Sequence, residues 1–294
     1  MGGKGSGWFA SAGHVSHKPK YAIGKEAAKE ALGETYLGQN IRKQPEKLPG
    51  AYKYKSPKSK PPKPKKQALK ALYKDFQPVK DRNDAETRLR MYVSGDVNQD
   101  VLNLPPDQRD EVLKGLMVLH NTGVQVDGIY IEAPHDNPSA HGMYSGDTNE
   151  IWINPTAMIT GPRPTGPEKL KTYQEMALGF AATQAQKDEI NSIKRTNAGD
   201  DTHFLAAVTA HESHHAKQRA KIRDSSKRTT AWQRTMRKYG VTRKDVAQVS
   251  AYAYSCWHVS PREIYAEVGT ALFLGETYVP QCLMDAYNDR RWMH

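Results

Sequence analysis

The sequence has little of what several protein classes require. It has 2 cysteines in 294 residues, which excludes a disulfide-stapled scaffold and a zinc finger built on cysteine ligands. No apolar run approaches the roughly 18 residues that a membrane-spanning helix needs, so we expect a protein that does not span a membrane. Only 37% of the residues are hydrophobic, below the ~45–50% of an ordinary globular domain. Part of the chain is therefore expected to lie outside the folded core.

The basic charge of the chain is concentrated at its N-terminus. Residues 1–80 contain 18 Lys or Arg and 5 Asp or Glu, a net charge of +13, whereas residues 81–294 have a net charge of −2. Lysines alternate with prolines between Lys53 and Lys66, and this combination disfavours a helix. We predict a basic, disordered or extended tail over 1–80 and a folded domain over 81–294. The tail is either a phosphate-binding arm for nucleic acid or only a solubilising linker.

After residue 80 the pattern indicates a mixed fold in which helices predominate. Pro105 and Pro106 begin an apolar-periodic segment, as expected for the first turn of a helix. Residues 128–133 and 150–154 are typical of strands, and the polar segment 134–149 between them is expected to be a loop. A further helix is expected after the Pro/Gly-rich loop 161–166, with Leu170, Tyr173, Ala177 and Phe180 on one face. This order predicts the α+β class, with a mainly helical fold and a small sheet.

The segment 202–217 contains the pattern H-E-x-x-H as His211, Glu212 and His215. Residues four apart lie on the same face of a helix, so the two imidazoles can reach one metal ion. Glu212 lies beside that face and could accept a proton from metal-bound water without being a ligand. His214 is expected on the surface or near the ligands. The alternative is a helix whose histidines are incidental.

A catalytic zinc site usually has three protein ligands, and the third is expected from a second helix. Ser260 and Pro261 are typical of a helix start, and Glu263 and Glu267 follow one turn apart. We predict Glu263 as the third ligand and Glu267 as the residue that orients a histidine. The alternative is that both glutamates are solvated.

Three segments together resemble the zinc peptidase domain of the anthrax lethal factor type. They are AHESHH at 210–215, VSAYA at 249–253 and SPREIYAE at 260–267. The resemblance implies a zincin-like fold in which an edge strand, supplied by residues 141–154, lies beside the cleft. It also implies the following site: Zn²⁺ bound by His211, His215 and Glu263, with Glu212 as the general base and Tyr252 as the group that stabilises the oxyanion.

The segment between the tyrosine and the proposed ligand glutamate is longer here than in that family. Tyr254 is therefore an alternative to Tyr252. His258 is either a pocket acid or a loop residue, and Cys256 is expected to be a small core residue.

These expectations lead to a zinc metallopeptidase, an endopeptidase that acts on a protein or peptide substrate. The glycine-rich stretch at 2–14 is similar to stretches appended to phage head and portal-associated proteins, which indicates a phage-encoded protein in the virion or the bacterial host cytoplasm. The alternative is a structural protein of the phage virion or head, with a zinc site and a basic tail that binds nucleic acid or a virion component. A third hypothesis is a toxin effector that uses the same chemistry on host proteins.

Overall fold

The computed structural model describes residues 6–7, 73–95, 97 and 99–289, and within them helices predominate around a small sheet. The predicted α+β, mainly helical class is confirmed. The predicted state of the basic tail falls almost wholly outside the described residues. The helices are α1 (Arg82–Leu89), α2 (Gln99–Asn103), α3 (Pro106–Leu116), α4 (Gly166–Phe180), α5 (Gln184–Asn191), α6 (Phe204–Lys221), α7 (Ser225–Lys238), α8 (Arg243–Ala247), α9 (Ala251–Ser255), α10 (Pro261–Leu274) and α11 (Gln281–Asn288). The strands are β1 (Ser6–Gly7), β2 (Gly128–Tyr130), β3 (Gly142–Ser145) and β4 (Glu150–Ile153).

The sheet has the strand order β1-β3-β4-β2. β3 pairs antiparallel with β4 on one side and with the two residues of β1 on the other, while β2 and β4 are parallel. Strands were predicted near β2 and β4, and both are present. The prediction of a loop over 134–149 is wrong in part, because β3 lies within it. The pairing of Met143 with Trp152 and of Tyr144 with Ile151 forms this strand, although its own sequence has no clear alternation.

Helices α6 and α10 lie at the centre of the fold. Nearly every residue of both helices is buried, so neither has the solvent-exposed face of an ordinary surface helix. One hydrophobic cluster packs α3 and the sheet against α6. A second cluster surrounds α10 with the helices that follow α6. The contact between α6 and α10 therefore joins the two halves of the core.

The packed part of the chain includes residues before Asp81. Tyr73, Phe76 and Val79 are partly buried against the first hydrophobic cluster. The Tyr73 ring meets the Phe273 ring edge-on, with centroids 5.5 Å apart. Among the described residues, no helix is both long enough and apolar enough to cross a membrane.

The approach of α3 to α6 depends on the absence of a side chain at Gly115. An added Cβ would lie 2.4 Å from the Cβ of Thr209 and 2.8 Å from the main-chain oxygen of Ala206. We expect Gly115→Ala to lower the free energy of unfolding by about 1–3 kcal/mol, the usual cost of overpacking. Chemical denaturation measures this change.

Gly179 in α4 is a matched control for that substitution. Nothing lies within 4 Å of a Cβ added there, so Gly179→Ala is expected to stabilise the protein by about 0.5–1 kcal/mol through backbone entropy. Equal stability of the Gly115→Ala and Gly179→Ala variants would contradict the close packing of α3 on α6.

Candidate metal centre

Three side chains from α6 and α10 meet at the centre of the fold. The Nε2 atoms of His211 and His215 are 3.2 Å apart. The Oε2 atom of Glu263 lies 3.2 Å from the first nitrogen and 3.0 Å from the second. All three side chains are buried, with at most 4% of each residue exposed. The three residues predicted as ligands therefore form one compact group that could hold a metal ion.

The spacing of these donor atoms also fits a metal ion. In a tetrahedral site with bonds of 2.0–2.1 Å, neighbouring donors lie about 3.3 Å apart. Two imidazole nitrogens and a carboxylate oxygen converge on one point, and a cation there would take the place of the hydrogen bonds that both imidazoles can donate to Glu263 Oε2. A divalent cation satisfies all three donors at once. Zinc suits this donor set, and imidazole also binds other transition metals.

The carboxyl group of Glu263 is held in place through its other oxygen. Its Oε1 accepts hydrogen bonds from the Ser260 hydroxyl at 3.2 Å and from Arg262 Nε at 3.3 Å. Burial alone would raise the pKa of Glu263, but His215 and the hydrogen bonds with both histidines lower it well below its ordinary value. The group is therefore ionised, which is the form that binds a metal.

Glu267 fixes the orientation of His211 from the opposite side of the ring. Its Oε1 lies 3.1 Å from His211 Nδ1, so in a neutral imidazole the proton is on Nδ1 and the lone pair is on Nε2. Its Oε2 accepts a hydrogen bond from the main-chain N–H of Ala198 at 2.9 Å and another from the Ser250 hydroxyl. Glu267 thus stands where a histidine-orienting residue was expected. The contribution of Ala198 was missed, because a main-chain donor leaves no signal in the sequence.

Glu212 is buried beside the edge of the sheet. It is 0% exposed, and within the described part of the chain no side chain donates a hydrogen bond to its carboxylate oxygens. Its hydrogen-bond donor is the main-chain N–H of Tyr144 in β3. A Cβ added at Gly142 of β3 would lie 3.3 Å from Oε1, so the strand passes directly over the carboxyl group. Burial raises the pKa of Glu212 well above its ordinary value.

The structure separates the two candidate tyrosines. The Tyr252 hydroxyl donates to Glu263 Oε2 at 3.2 Å, so it lies next to the three metal donors. The Tyr254 hydroxyl instead donates to Glu189 Oε2 at 3.2 Å, and that carboxylate pairs with the buried Arg243. Tyr252 and Tyr254 are two residues apart in α9 and point to different parts of the core.

Two other candidates lie outside the group of three donors. His258 packs edge-on against Trp257, with ring centroids 6.0 Å apart. Cys256 is buried in the second hydrophobic cluster, as expected for a small core residue.

His214 was expected either on the surface or near the ligands, and the first of these expectations is wrong. It is 0% exposed and lies between α6 and α10, where its ring meets Tyr265 and Tyr287 edge-on. A Cβ added at Gly269 would lie 2.6 Å from two ring atoms of His214. His214 therefore helps to pack α6 against α10.

Compared with known proteins, the chain matches no family model, no curated protein and no solved structure.

The geometry predicts that the full-length protein binds one metal ion per chain, with zinc as the ion to test, and that His211→Ala abolishes binding. Glu267→Gln should retain the site but weaken affinity by about 10–100-fold, because the imidazole loses its orienting carboxylate. Elemental analysis gives the metal content, and chelator competition gives the affinity. Added zinc should also raise the melting temperature of the wild type, but not that of His211→Ala.

His135→Ala is the matched control, since His135 is exposed and lies outside the donor group. Zinc content in His211→Ala equal to that in the wild type would contradict the site.

Proposed function

We propose that the protein is a zinc-dependent metallopeptidase that hydrolyses peptide bonds. The observation that carries this proposal is the convergence of His211, His215 and Glu263, with the buried carboxyl group of Glu212 within electrostatic range of His211 and Glu263 but outside the donor set. A metal site that serves only stability has no need of a buried carboxyl group beside it. Hydrolysis does need such a group. The resemblance to the lethal factor type of zinc peptidase agrees with these roles.

His211, His215 and Glu263 would hold the metal. When bound, zinc lowers the pKa of a coordinated water and polarises a carbonyl group. Glu212 accepts the proton of the attacking water and then passes it to the leaving amine. The environments of Glu212 and Glu263 suit these two different roles. Burial raises the pKa of Glu212, so it can take up and release a proton, while the pKa of Glu263 is lowered and it stays ionised.

Tyr252 supplies a hydrogen-bond donor for the negative charge that develops on the carbonyl oxygen. Burial and the nearby Glu263 raise its pKa well above the ordinary value, so the hydroxyl keeps its proton at neutral pH. Its present acceptor is Glu263 Oε2, one of the three metal donors. A small shift of the hydroxyl would direct it from Glu263 to a substrate carbonyl oxygen that lies beside the three donors.

Strand β3 favours a peptide as the substrate. A peptide in extended form can pair with the outer side of this strand through main-chain hydrogen bonds, in the place that the two residues of β1 occupy. Ser6 and Gly7 already pair with β3 in this way, antiparallel and opposite Tyr144 and Met143. The same strand passes over Glu212 at Gly142, so a peptide on this edge lies beside the proposed base.

Substitution of the general base tests the proposal directly. Glu212→Gln should keep the zinc content of the wild type and lose at least ~10²-fold in turnover, because the amide cannot accept the proton. Peptide-library digestion followed by mass spectrometry measures the loss. Glu168→Gln is the control, since Glu168 is exposed on α4. Unchanged turnover in zinc-loaded Glu212→Gln would contradict the role of Glu212 as the general base and with it the proposed mechanism.

The two tyrosines of α9 form a matched pair. Tyr252→Phe should lower kcat by about 10²–10³-fold, the usual effect of removing one oxyanion donor. Tyr254→Phe removes a hydrogen bond to Glu189 only and should leave kcat unchanged. Initial rates on one cleaved peptide, with zinc content measured for each variant, make the comparison. Equal kcat values for the two variants would remove Tyr252 from the mechanism.

A further inference from the structure

Three arginines from three different helices lie beside the proposed site, at the end of β3. Arg219 is in the last turn of α6, Arg228 is in α7 and Arg262 is in the first turn of α10. Arg219 follows His211 and His215 at intervals of four residues, so it continues their face of the helix by one more turn. We call these three residues the arginine cluster.

The first two members are held close to β3 and to the end of α6. A Cβ added at Gly146, directly after β3, would lie 3.6 Å from Arg219 Nε, and the Arg219 guanidinium hydrogen-bonds the Tyr144 hydroxyl. Arg228 is only 8% exposed. Its Nη1 donates to two main-chain carbonyls at the C-terminal end of α6, at 2.6 and 2.7 Å. These contacts fix both guanidinium groups beside the edge strand.

Arg262 connects the cluster to the metal donors. Its Nε lies 3.3 Å from Glu263 Oε1, and 20% of its side chain is exposed. Burial, followed by the charges of Arg262 and Arg219, lowers the pKa of Arg228. The three cations are therefore close enough to repel one another.

The positive charges of Arg219 and Arg228 are not balanced by an ion pair within the described part of the chain. Neither Arg219 nor Arg228 forms an ion pair there, and the carboxylate that acts on Arg228 is that of Asp224, an exposed helix cap. Cations that are partly buried without a counter-ion cost free energy. A bound anion would remove that cost, and guanidinium groups suit carboxylate and phosphate oxygens.

We infer that the arginine cluster binds an anionic side chain of the peptide substrate, a carboxylate or a phosphate, and so makes the enzyme selective for acidic sequences. This inference rests on the proposed function, because it places the substrate on β3 next to Glu212. The metal donors, Glu212 and Tyr252 do not by themselves select one peptide sequence over another. The arginine cluster adds a group that determines this specificity.

The direction of strand pairing predicts which side of the cleaved bond carries the anion. A peptide that takes the place of Ser6–Gly7 and runs antiparallel to β3 as they do has its N-terminal part beside Ser145 and Gly146, next to Arg219. Its C-terminal part passes Gly142, where Glu212 lies. The anionic residue is therefore expected on the N-terminal side of the scissile bond.

Cleavage of a peptide library by the zinc-loaded, full-length protein tests this inference. Sites that the wild type cuts and Glu212→Gln does not should be enriched in Asp, Glu or phosphoserine on the N-terminal side. Matched peptides with Glu, phosphoserine or Gln at the enriched position then identify the anion. In Arg219→Gln the preference for the anionic peptide over the Gln peptide should fall by at least about tenfold, the scale of one charge-assisted hydrogen bond. Arg234→Gln, at an exposed position on α7, should keep the full preference.

A binding measurement separates recognition from turnover. In the Glu212→Gln background, a fluorescent anionic peptide should bind at least about tenfold more weakly when Arg219→Gln is added, and equally well when Arg234→Gln is added. Cleavage without an anionic preference, or with one only on the C-terminal side, would overturn the inference and leave the proposed function intact. If Glu212→Gln removes no cleavage at all, both fail together. Arg262 is left unchanged in these variants because it contacts Glu263.

Discussion

The contact between α6 and α10 is the constraint on which the rest of the structure depends. Both helices are buried on nearly all sides, and they approach so closely that a side chain at Gly269 would overlap the His214 ring. This approach brings Glu263 to the two histidines of α6. It also places ionisable groups in the buried centre of the fold, where each one costs free energy unless it is paired. Glu267 pairs with His211, whereas the point shared by the three donors is best filled by a cation.

Glu263 and Glu212, which lie where α6 meets α10, have different surroundings and are therefore suited to different chemical roles. Glu263 is surrounded by histidines, a hydroxyl and a guanidinium, and all of them stabilise its charge. Glu212 lies one residue from His211 in sequence, yet its carboxyl group faces the main chain of β3, and no side chain in the described region donates to it. The fold therefore provides one carboxylate suited to holding a metal and another suited to exchanging a proton. The arginine cluster sets a positive field at one end of this pair.

The centre of the site could be predicted from the sequence because helical periodicity alone places His211 and His215 on one face. Glu263 needed more: its helix was recognisable, but its contact with α6 is tertiary, and the resemblance to a known family pointed to it. Strand β3 was missed by pattern because it is formed by pairing with β4 rather than by its own residues. The choice between Tyr252 and Tyr254 could not be made either, since a shift of two residues in a short helix is not visible in composition. The arginine cluster could not be predicted from the sequence either, because its members come from three separate helices.

The third of the candidate metal donors lies 48 residues after the second along the chain, and this distance affects when the donor group can form. The H-E-x-x-H segment is synthesised first and cannot complete the donor set by itself. The group forms only after Glu263 has been made and α10 has packed against α6, a long-range contact that local helix formation does not supply. A partly synthesised or partly folded chain thus lacks the assembled centre. For a protein proposed to cut polypeptides, the order of its own synthesis keeps the centre inactive until the fold is complete.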